Sequence, residues 1–253
     1  MAKLPGVEGA MAKFILIHGG MHGSWCWELV VPRMERAGHR AETIDLLGND
    51  GATDPALVTL EAWTGQIATA LEDGPGQSVL VAHSMGGLPA TTAASRVPAR
   101  VAALVYLCAV VPEDGRASAA GAASRAAADR FVSADDGRTQ SFHREQAREM
   151  FYADCEPAVA DAALDRLTPQ PTGPLSEPPR IDGGRLARLR RHYIHTTLDR
   201  AISPAVQRGY IASVPGMRVH EMATGHSPFY AAPDELTQLL IEIADVRDAG
   251  QSQ

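Results

Sequence analysis

The sequence predicts one large α/β domain built on a mostly parallel, six-stranded sheet with helices on both faces. Short apolar segments alternate with segments of helical periodicity along most of the 253 residues. The apolar segments have few polar positions, which is typical of parallel strands covered on both faces. The chain is also long enough to bury a sizeable core.

The elements follow in a regular order. A serine or threonine that could cap a helix, Ser24 or Thr59, stands at the start of two helical segments, and Gly38 ends the first of them. We predict strands at 13–20, 39–48, 78–83, 101–111, 188–197 and 217–222, and helices at 24–38, 59–72, 85–97, 204–214 and 233–246.

A long interruption separates the fourth strand from the fifth. Residues 112–186 begin rich in alanine, continue as two helical segments divided near Pro157, and end in a segment too rich in proline for regular structure. An insertion between two strands would lie over their carboxyl ends, where open α/β sheets bind ligands. We interpret it as a helical lid; the alternative is a surface insertion without function. The core is then 13–111 and 187–247, with a leader or flexible start at 1–12 and a flexible tail at 248–253.

Composition excludes several classes of partner. The formal charge is −7, and no basic run suggests nucleic acid or an anionic membrane. Three cysteines without paired spacing favour reduced thiols and a cytoplasmic protein. Abundant alanine and a preference for arginine over lysine are associated with GC-rich bacterial genomes. An apolar lid could also be the interface of a homodimer.

The sharpest motif is Ala-His-Ser-Met-Gly at 82–86, where a buried strand ends and a helix begins. A tight strand-to-helix turn pushes its apex residue, Ser84, out of the sheet and needs small residues two positions away on each side. Ala82 and Gly86 satisfy that need. The pattern predicts a nucleophile elbow, although a serine also serves as an ordinary helix N-cap.

A serine nucleophile needs a base and an acid that orients the base, in the chain order Ser, acid, His for this kind of fold. Of the histidines after Ser84, only His226 lies in a loop directly after a predicted strand. Asp199 follows the neighbouring strand and is the predicted acid. Asp114, which follows the fourth strand, is the alternative.

The tetrahedral intermediate formed by a serine nucleophile needs hydrogen-bond donors for its oxyanion. The N–H of Met85 is one candidate. The second is the N–H of Gly20 in the loop after the first strand, where glycines let the backbone approach a substrate. A plain glycine turn would use the same residues.

These motifs resemble the α/β-hydrolase fold, and they are most similar to the branch of hydroxynitrile lyases, plant methylesterases and bacterial carboxylesterases such as pyrethroid hydrolases. The resemblance covers about 13–246 and rests on "FILIHGGMHGSW", "VAHSMGGLPA", "VYLCAVVPEDG" and "GHSPFYAAPDEL". It implies a triad of Ser84, His226 and Asp199, a pocket under the lid, and neither a metal nor a cofactor. It also places His22, Ser24 and Trp25 beside the active site.

Hydroxynitrile lyases of that branch carry a threonine where this chain has Gly19 and a lysine where it has Ser227; no lysine occurs after Lys13. Without a cation for the leaving cyanide, lyase chemistry loses its main electrostatic support. We therefore expect a serine carboxylesterase, methylesterase or lactonase; a cofactor-free lyase or cyclase and a ligand-binding receptor are the alternatives. Its substrates should be small to medium, uncharged, hydrophobic esters, because the expected pocket residues are apolar or small: Gly19, His22, Trp25, Met85, Val110, Phe151, Tyr152 and Phe229.

Overall fold

The structure, a computed structural model, describes residues 11–49, 52–117, 131–134 and 137–246. Most of the predicted leader, the tail and most of the alanine-rich start of the insertion lie outside these ranges. Within them, no helix is long and apolar enough to cross a membrane.

The central sheet has six strands: β1 (Lys13–Ile17), β2 (Arg40–Ile44), β3 (Ser78–His83), β4 (Val101–Leu107), β8 (Arg191–Thr196) and β9 (Arg218–Met222). They are all parallel and lie in the order β2-β1-β3-β4-β8-β9. The predicted six-stranded parallel sheet is confirmed.

Helices cover both faces of this sheet. They are α1 (Val31–Arg36), α2 (Leu60–Glu72), α3 (Gly87–Arg96), α8 (Pro204–Ser213), α9 (Pro228–Ala231) and α10 (Pro233–Asp245). Successive residues of one strand contribute to opposite faces: Ile15 and Ile17 pack with α2 and α3, whereas Phe14 and Leu16 pack with α1 and α10. Because both faces of the strands are buried, their segments of the sequence are almost continuously apolar.

The predicted helix at 24–38 is wrong in extent and in its cap. A 3₁₀ turn spans Ser24–Trp27, and α1 begins only at Val31, because Pro32 is suited to the first turn of a helix and not to its interior. The Ser24 hydroxyl donates to the Asp45 carboxylate at 2.8 Å instead of capping the helix. Thr59, by contrast, caps α2 as predicted, accepting from the Ala62 N–H at 3.0 Å.

The insertion contains the two predicted helices, α4 (Arg144–Phe151) and α5 (Pro157–Leu164), which meet near Pro157. The prediction that the proline-rich segment at 168–180 lacks regular structure is wrong. This segment contains a short strand, β7 (Gln170–Pro171), and one helical turn, α6 (Gly173–Ser176). A second turn, α7 (Gly183–Leu186), precedes β8. Strand β7 completes an antiparallel three-stranded sheet with β5 (Phe131–Ala134) and β6 (Thr139–Phe142).

Candidate active site

The strand-to-helix turn at Ser84 is as tight as the sequence predicts. Ser84 has φ of 52°, a left-handed conformation that non-glycine residues rarely adopt, and a 3₁₀ turn over Ser84–Gly86 joins β3 to α3. A Cβ on Gly86 would lie 2.5 Å from the His18 carbonyl oxygen, and one on Gly87 would overlap the Val110 carbonyl oxygen. The two glycines are therefore needed for the helix to approach the neighbouring loops.

Three groups from three loops form a continuous hydrogen-bonded chain. The Ser84 Oγ lies 2.9 Å from His226 Nε2, and His226 Nδ1 lies 2.8 Å from Asp199 Oδ2. A carboxylate only accepts hydrogen bonds, so Nδ1 carries the proton and Nε2 is left to accept from the serine hydroxyl. His226 and Asp199 are 1% and 4% exposed, which shields the pair from water.

The Asp199 carboxylate is surrounded by donors. Its Oδ1 accepts from the N–H groups of Ala201 and Ile202 at 2.8 and 2.9 Å, and its Oδ2 also accepts from the Thr196 hydroxyl and the Gln207 amide, each at 3.0 Å. Burial alone would raise the pKa of Asp199. The interactions with His226 and with the backbone N–H groups outweigh the effect of burial and lower that pKa below its ordinary value. The carboxylate is thus held ionised beside His226.

Asp114 is not near this chain of groups. It is exposed at the start of the insertion, and its Oδ1 accepts from the Ile181 N–H at 2.7 Å. The structure therefore brings Asp199 to the ring of His226 and leaves Asp114 in a turn.

The loop after β1 contacts the turn at Ser84. A Cβ built on Gly19 would lie 2.8 Å from the Ser84 Cβ, and one on Gly20 would lie 3.8 Å from the Met85 Cβ. Among the described residues, neither the Gly20 N–H nor the Met85 N–H donates a protein hydrogen bond. Two main-chain donors thus remain available close to a partly exposed serine.

Hydrogen bonds from two histidine rings hold the backbone of the loop after β1. His18 Nδ1–H donates to the Gly19 carbonyl and His22 Nδ1–H to the Gly20 carbonyl, each at 2.8 Å, because a carbonyl can only accept. Burial lowers the pKa of both rings, that of His22 to about 3, so both are neutral near pH 7.

His83 is the residue that sequence reasoning missed most clearly. Its Nε2–H donates to the His226 carbonyl at 2.8 Å, and its ring lies 4.7 Å from the His226 ring, centroid to centroid. Burial lowers the pKa of His83 well below its ordinary value, so the ring is neutral. The only sequence signal was a polar residue ending an apolar strand.

The predicted pocket residues divide into two groups. His22, Phe151, Tyr152 and Phe229 are buried around His83 and His226, and Phe151 stacks on the His226 ring at 5.6 Å. Trp25 stacks on the outer side of His22 at 5.4 Å, and Val110 contacts the elbow through its N–H, which donates to the Ser84 carbonyl at 2.9 Å.

Within the described part of the chain, His83, Cys108 and His226 are the one group of three side chains close enough to share a metal ion, with ligand atoms within 4.8 Å of one another. Both ring nitrogens of His226 are already bonded, and burial raises the pKa of the Cys108 thiol well above its ordinary value. The thiol also lies 3.5 Å from the His226 carbonyl oxygen, as a donor to it. The arrangement is suited to supporting the His226 backbone.

A family model described as the alpha/beta hydrolase family matches residues 14–239. The chain belongs to the alpha/beta hydrolase family. A pyrethroid hydrolase of Sphingobium wenxiniae is 33% identical to this hydrolase over 245 residues, which cover 91% of this chain and 87% of that protein. Putative methylesterase 14, a chloroplastic protein of Arabidopsis thaliana, is 29% identical over 251 residues, covering 92% and 72% of the two chains.

The crystal structure of the pyrethroid hydrolase PytH with BIF is similar to this hydrolase throughout. It has a TM-score of 0.81 and 30% sequence identity, and the match covers 94% of this chain and 98% of that chain. The predicted resemblance to the branch of methylesterases and pyrethroid hydrolases is confirmed.

Proposed function

We propose that this α/β hydrolase is a serine carboxylic-ester hydrolase in which Ser84 forms an acyl-enzyme. The observation that carries the proposal is the hydrogen-bonded chain from the partly exposed Ser84 through buried His226 to buried Asp199, with the Gly20 and Met85 N–H groups beside it. The names of its relatives, a pyrethroid hydrolase and methylesterases, support ester hydrolysis as the reaction.

In acylation, Ser84 Oγ attacks the ester carbonyl carbon while His226 Nε2 takes the hydroxyl proton. The carbonyl oxygen becomes an oxyanion, which the N–H groups of Gly20 and Met85 stabilise. The bond to the leaving oxygen then breaks, and His226 returns the proton to that oxygen to release an alcohol. Asp199 holds the His226 tautomer and stabilises the imidazolium that forms.

In deacylation, a water molecule attacks the acyl carbon and gives a proton to His226. The second tetrahedral intermediate collapses, the bond from carbon to Ser84 Oγ breaks, and the proton returns to Ser84. The products are a carboxylic acid and the free enzyme, so the cycle needs only water as co-reactant.

The surroundings of Ser84 favour uncharged, hydrophobic esters of small to medium size. Phe151 stacks on His226, and Met85 and Val110 flank the elbow, so the groups that meet the substrate are mainly apolar. The neighbouring histidines His22 and His83 are neutral and offer no positive charge to a carboxylate.

Two positions argue against hydroxynitrile lyase chemistry. A Cβ at position 19 would lie 2.7 Å from His83 Nδ1, so a threonine would displace this buried ring. Ser227, directly after His226, is fully buried and uncharged where a lyase of this branch carries its lysine. Cyanide release from mandelonitrile would support the lyase alternative instead.

The decisive test is Ser84→Ala. The variant should fold and lose on the order of 10⁴-fold or more in kcat on p-nitrophenyl butyrate, because the members of a triad act as a unit. A serine-directed organophosphate should abolish wild-type activity. Ser95→Ala is the matched control, since it removes a buried hydroxyl of α3 that donates to the Thr92 carbonyl within the same helix. Turnover by Ser84→Ala near that of wild type would refute the proposal, and ligand binding without turnover by wild type would favour a receptor.

A further inference from the structure

We propose that Gln170, from strand β7 of the insertion, is a positioning residue. It holds the Gly20 N–H in the orientation that donates a hydrogen bond to the oxyanion. This inference rests on the proposed function of the same site. Gln170 and Gly20 are 150 positions apart in the sequence, and no motif of the chain links them.

The evidence begins with Met21, which follows Gly20. Met21 has φ of 65°, an unfavourable left-handed conformation for a residue with a side chain. Its N–H donates to Gln170 Oε1 at 3.0 Å, and its carbonyl accepts from the Thr168 N–H at 2.9 Å. Both main-chain polar groups of the strained residue are thus bonded to one short segment of the insertion.

The Gln170 side chain is itself fixed. It is 2% exposed, and its Nε2 donates to the Pro171 carbonyl at 3.1 Å, which leaves Oε1 directed at the Met21 N–H. A Cβ on Gly20 would lie 3.3 Å from Oε1, so the amide packs directly on the Gly20 backbone. A glycine at position 20 and a glutamine at position 170 therefore fit one another.

The peptide between Gly20 and Met21 is held from both sides. Its oxygen accepts from His22 Nδ1–H at 2.8 Å, and its N–H donates to Gln170. The Tyr152 hydroxyl donates to His22 Nε2 at 2.8 Å, so the insertion supports that side as well. If the bond to Gln170 were lost, the loop could relax from its left-handed conformation, and the adjoining Gly20 N–H would turn away from Ser84.

The test compares Gln170→Met, which keeps the length of the side chain but lacks the amide, with Thr172→Val. Thr172 lies just beyond β7 and bonds the Gly137 carbonyl at 2.7 Å, so its loss loosens the same sheet without touching residues 19–21. Each variant is assayed for kcat and KM on p-nitrophenyl butyrate. Affinity is measured for an alkyl trifluoromethyl ketone, whose adduct with Ser84 carries an oxyanion, and for the matching methyl ketone.

Gln170→Met should lower kcat/KM by about 10- to 50-fold, somewhat less than the ~10²-fold or more that deletion of an oxyanion donor costs. The trifluoromethyl ketone should bind more weakly by the same factor, while affinity for the methyl ketone stays within about twofold. Thr172→Val should stay within about twofold of wild type in all measurements. If Gln170→Met does not fold, Gln170→Asn, whose amide is one methylene too short to reach Met21, should give the same pattern.

Wild-type values of kcat/KM in these variants, or an equal loss of affinity for both ketones, would overturn the inference while leaving Ser84 as the nucleophile. A wild-type protein that hydrolyses no ester and does not prefer the trifluoromethyl ketone would overturn the proposed function together with this inference. The two failures are therefore distinguishable.

Discussion

The central sheet and the insertion contribute to the candidate site in different ways. The sheet carries the groups proposed to react, at the ends of β1, β3, β8 and β9, and holds them with buried hydrogen bonds such as the five that Asp199 accepts. The insertion, between β4 and β8, contributes contacts to the backbone that carries those groups. Thr168 and Gln170 bond Met21, and the carboxylate of Asp154 accepts from the Gly225 N–H at 2.5 Å.

The two regions also differ in what holds them together. The sheet lies between two large clusters of buried apolar residues. In the described part of the insertion, a small cluster forms around Phe151, Tyr152 and Leu164 and includes Met21 of the core. Its surface ion pairs, such as Arg144 with Asp165, are exposed to solvent, which screens them, so they add little to its stability. This difference suggests that changes in the core abolish the reaction, whereas changes in the insertion reduce its rate.

After the loss expected for Ser84→Ala, the next largest effect on kcat tests the core side of this comparison. Asp199→Asn should lower kcat about 10³–10⁴-fold, because an amide favours the wrong His226 tautomer and cannot stabilise the imidazolium. Asp114→Asn is the matched control. It should lower kcat by less than about tenfold, because the asparagine oxygen can still accept from the Ile181 N–H. Steady-state kinetics on a chromogenic ester would check both variants. The reverse order of effects would exclude Asp199 as the acid.

The next prediction is about the pH dependence of folding stability. It concerns His22, which joins the core to Tyr152 of the insertion. Burial lowers the pKa of folded His22 to about 3, against 6.5 for an unfolded histidine. Between these values the unfolded chain binds a proton that the folded chain does not, so stability falls as pH falls below about 6.5, by up to about 1.4 kcal/mol per pH unit. His18 and His83, whose pKa values burial also lowers, act in the same direction.

Urea unfolding at pH 7, 6 and 5 would measure this dependence. His22→Asn keeps a donor for the Gly20 carbonyl and should make the dependence shallower, by about 2 kcal/mol between pH 6.5 and 5. The control is His143→Asn, which replaces an exposed histidine instead of a buried one. Equal slopes in wild type and His22→Asn would contradict a lowered pKa for folded His22.

The smallest effect tests the insertion side. Asp154→Ala removes the acceptor for the Gly225 N–H beside His226 and should lower kcat/KM only about 3- to 10-fold, because Asp154 is exposed and His226 keeps its other contacts. Hydrogen exchange of the peptide containing 223–227 should become faster. The control, Asp161→Ala, removes an exposed ion pair with Arg148 of the insertion and should change neither measurement. If Asp154→Ala lost as much activity as Asp199→Asn, this would contradict the expectation that changes in the insertion only reduce the rate.

The sequence by itself determined the six strands, most of the helices, the elbow at Ser84, and the loop positions of His226 and Asp199. These features depend on local signals, namely apolar periodicity, small residues at a tight turn, and polar residues that follow a strand. A cytoplasmic location and a homodimer stay predictions.

Only the tertiary structure decided how these groups are held. It selected Asp199 over Asp114 at the His226 ring, and it revealed the roles of His83 and Gln170 in supporting backbone. His83 contacts a residue 143 positions away and Gln170 one that is 149 away, and each contact joins a side chain to a main-chain group. A main-chain N–H or carbonyl is the same in nearly every residue, so the sequence carries no pattern for such a bond; it forms only when the fold brings the two segments together.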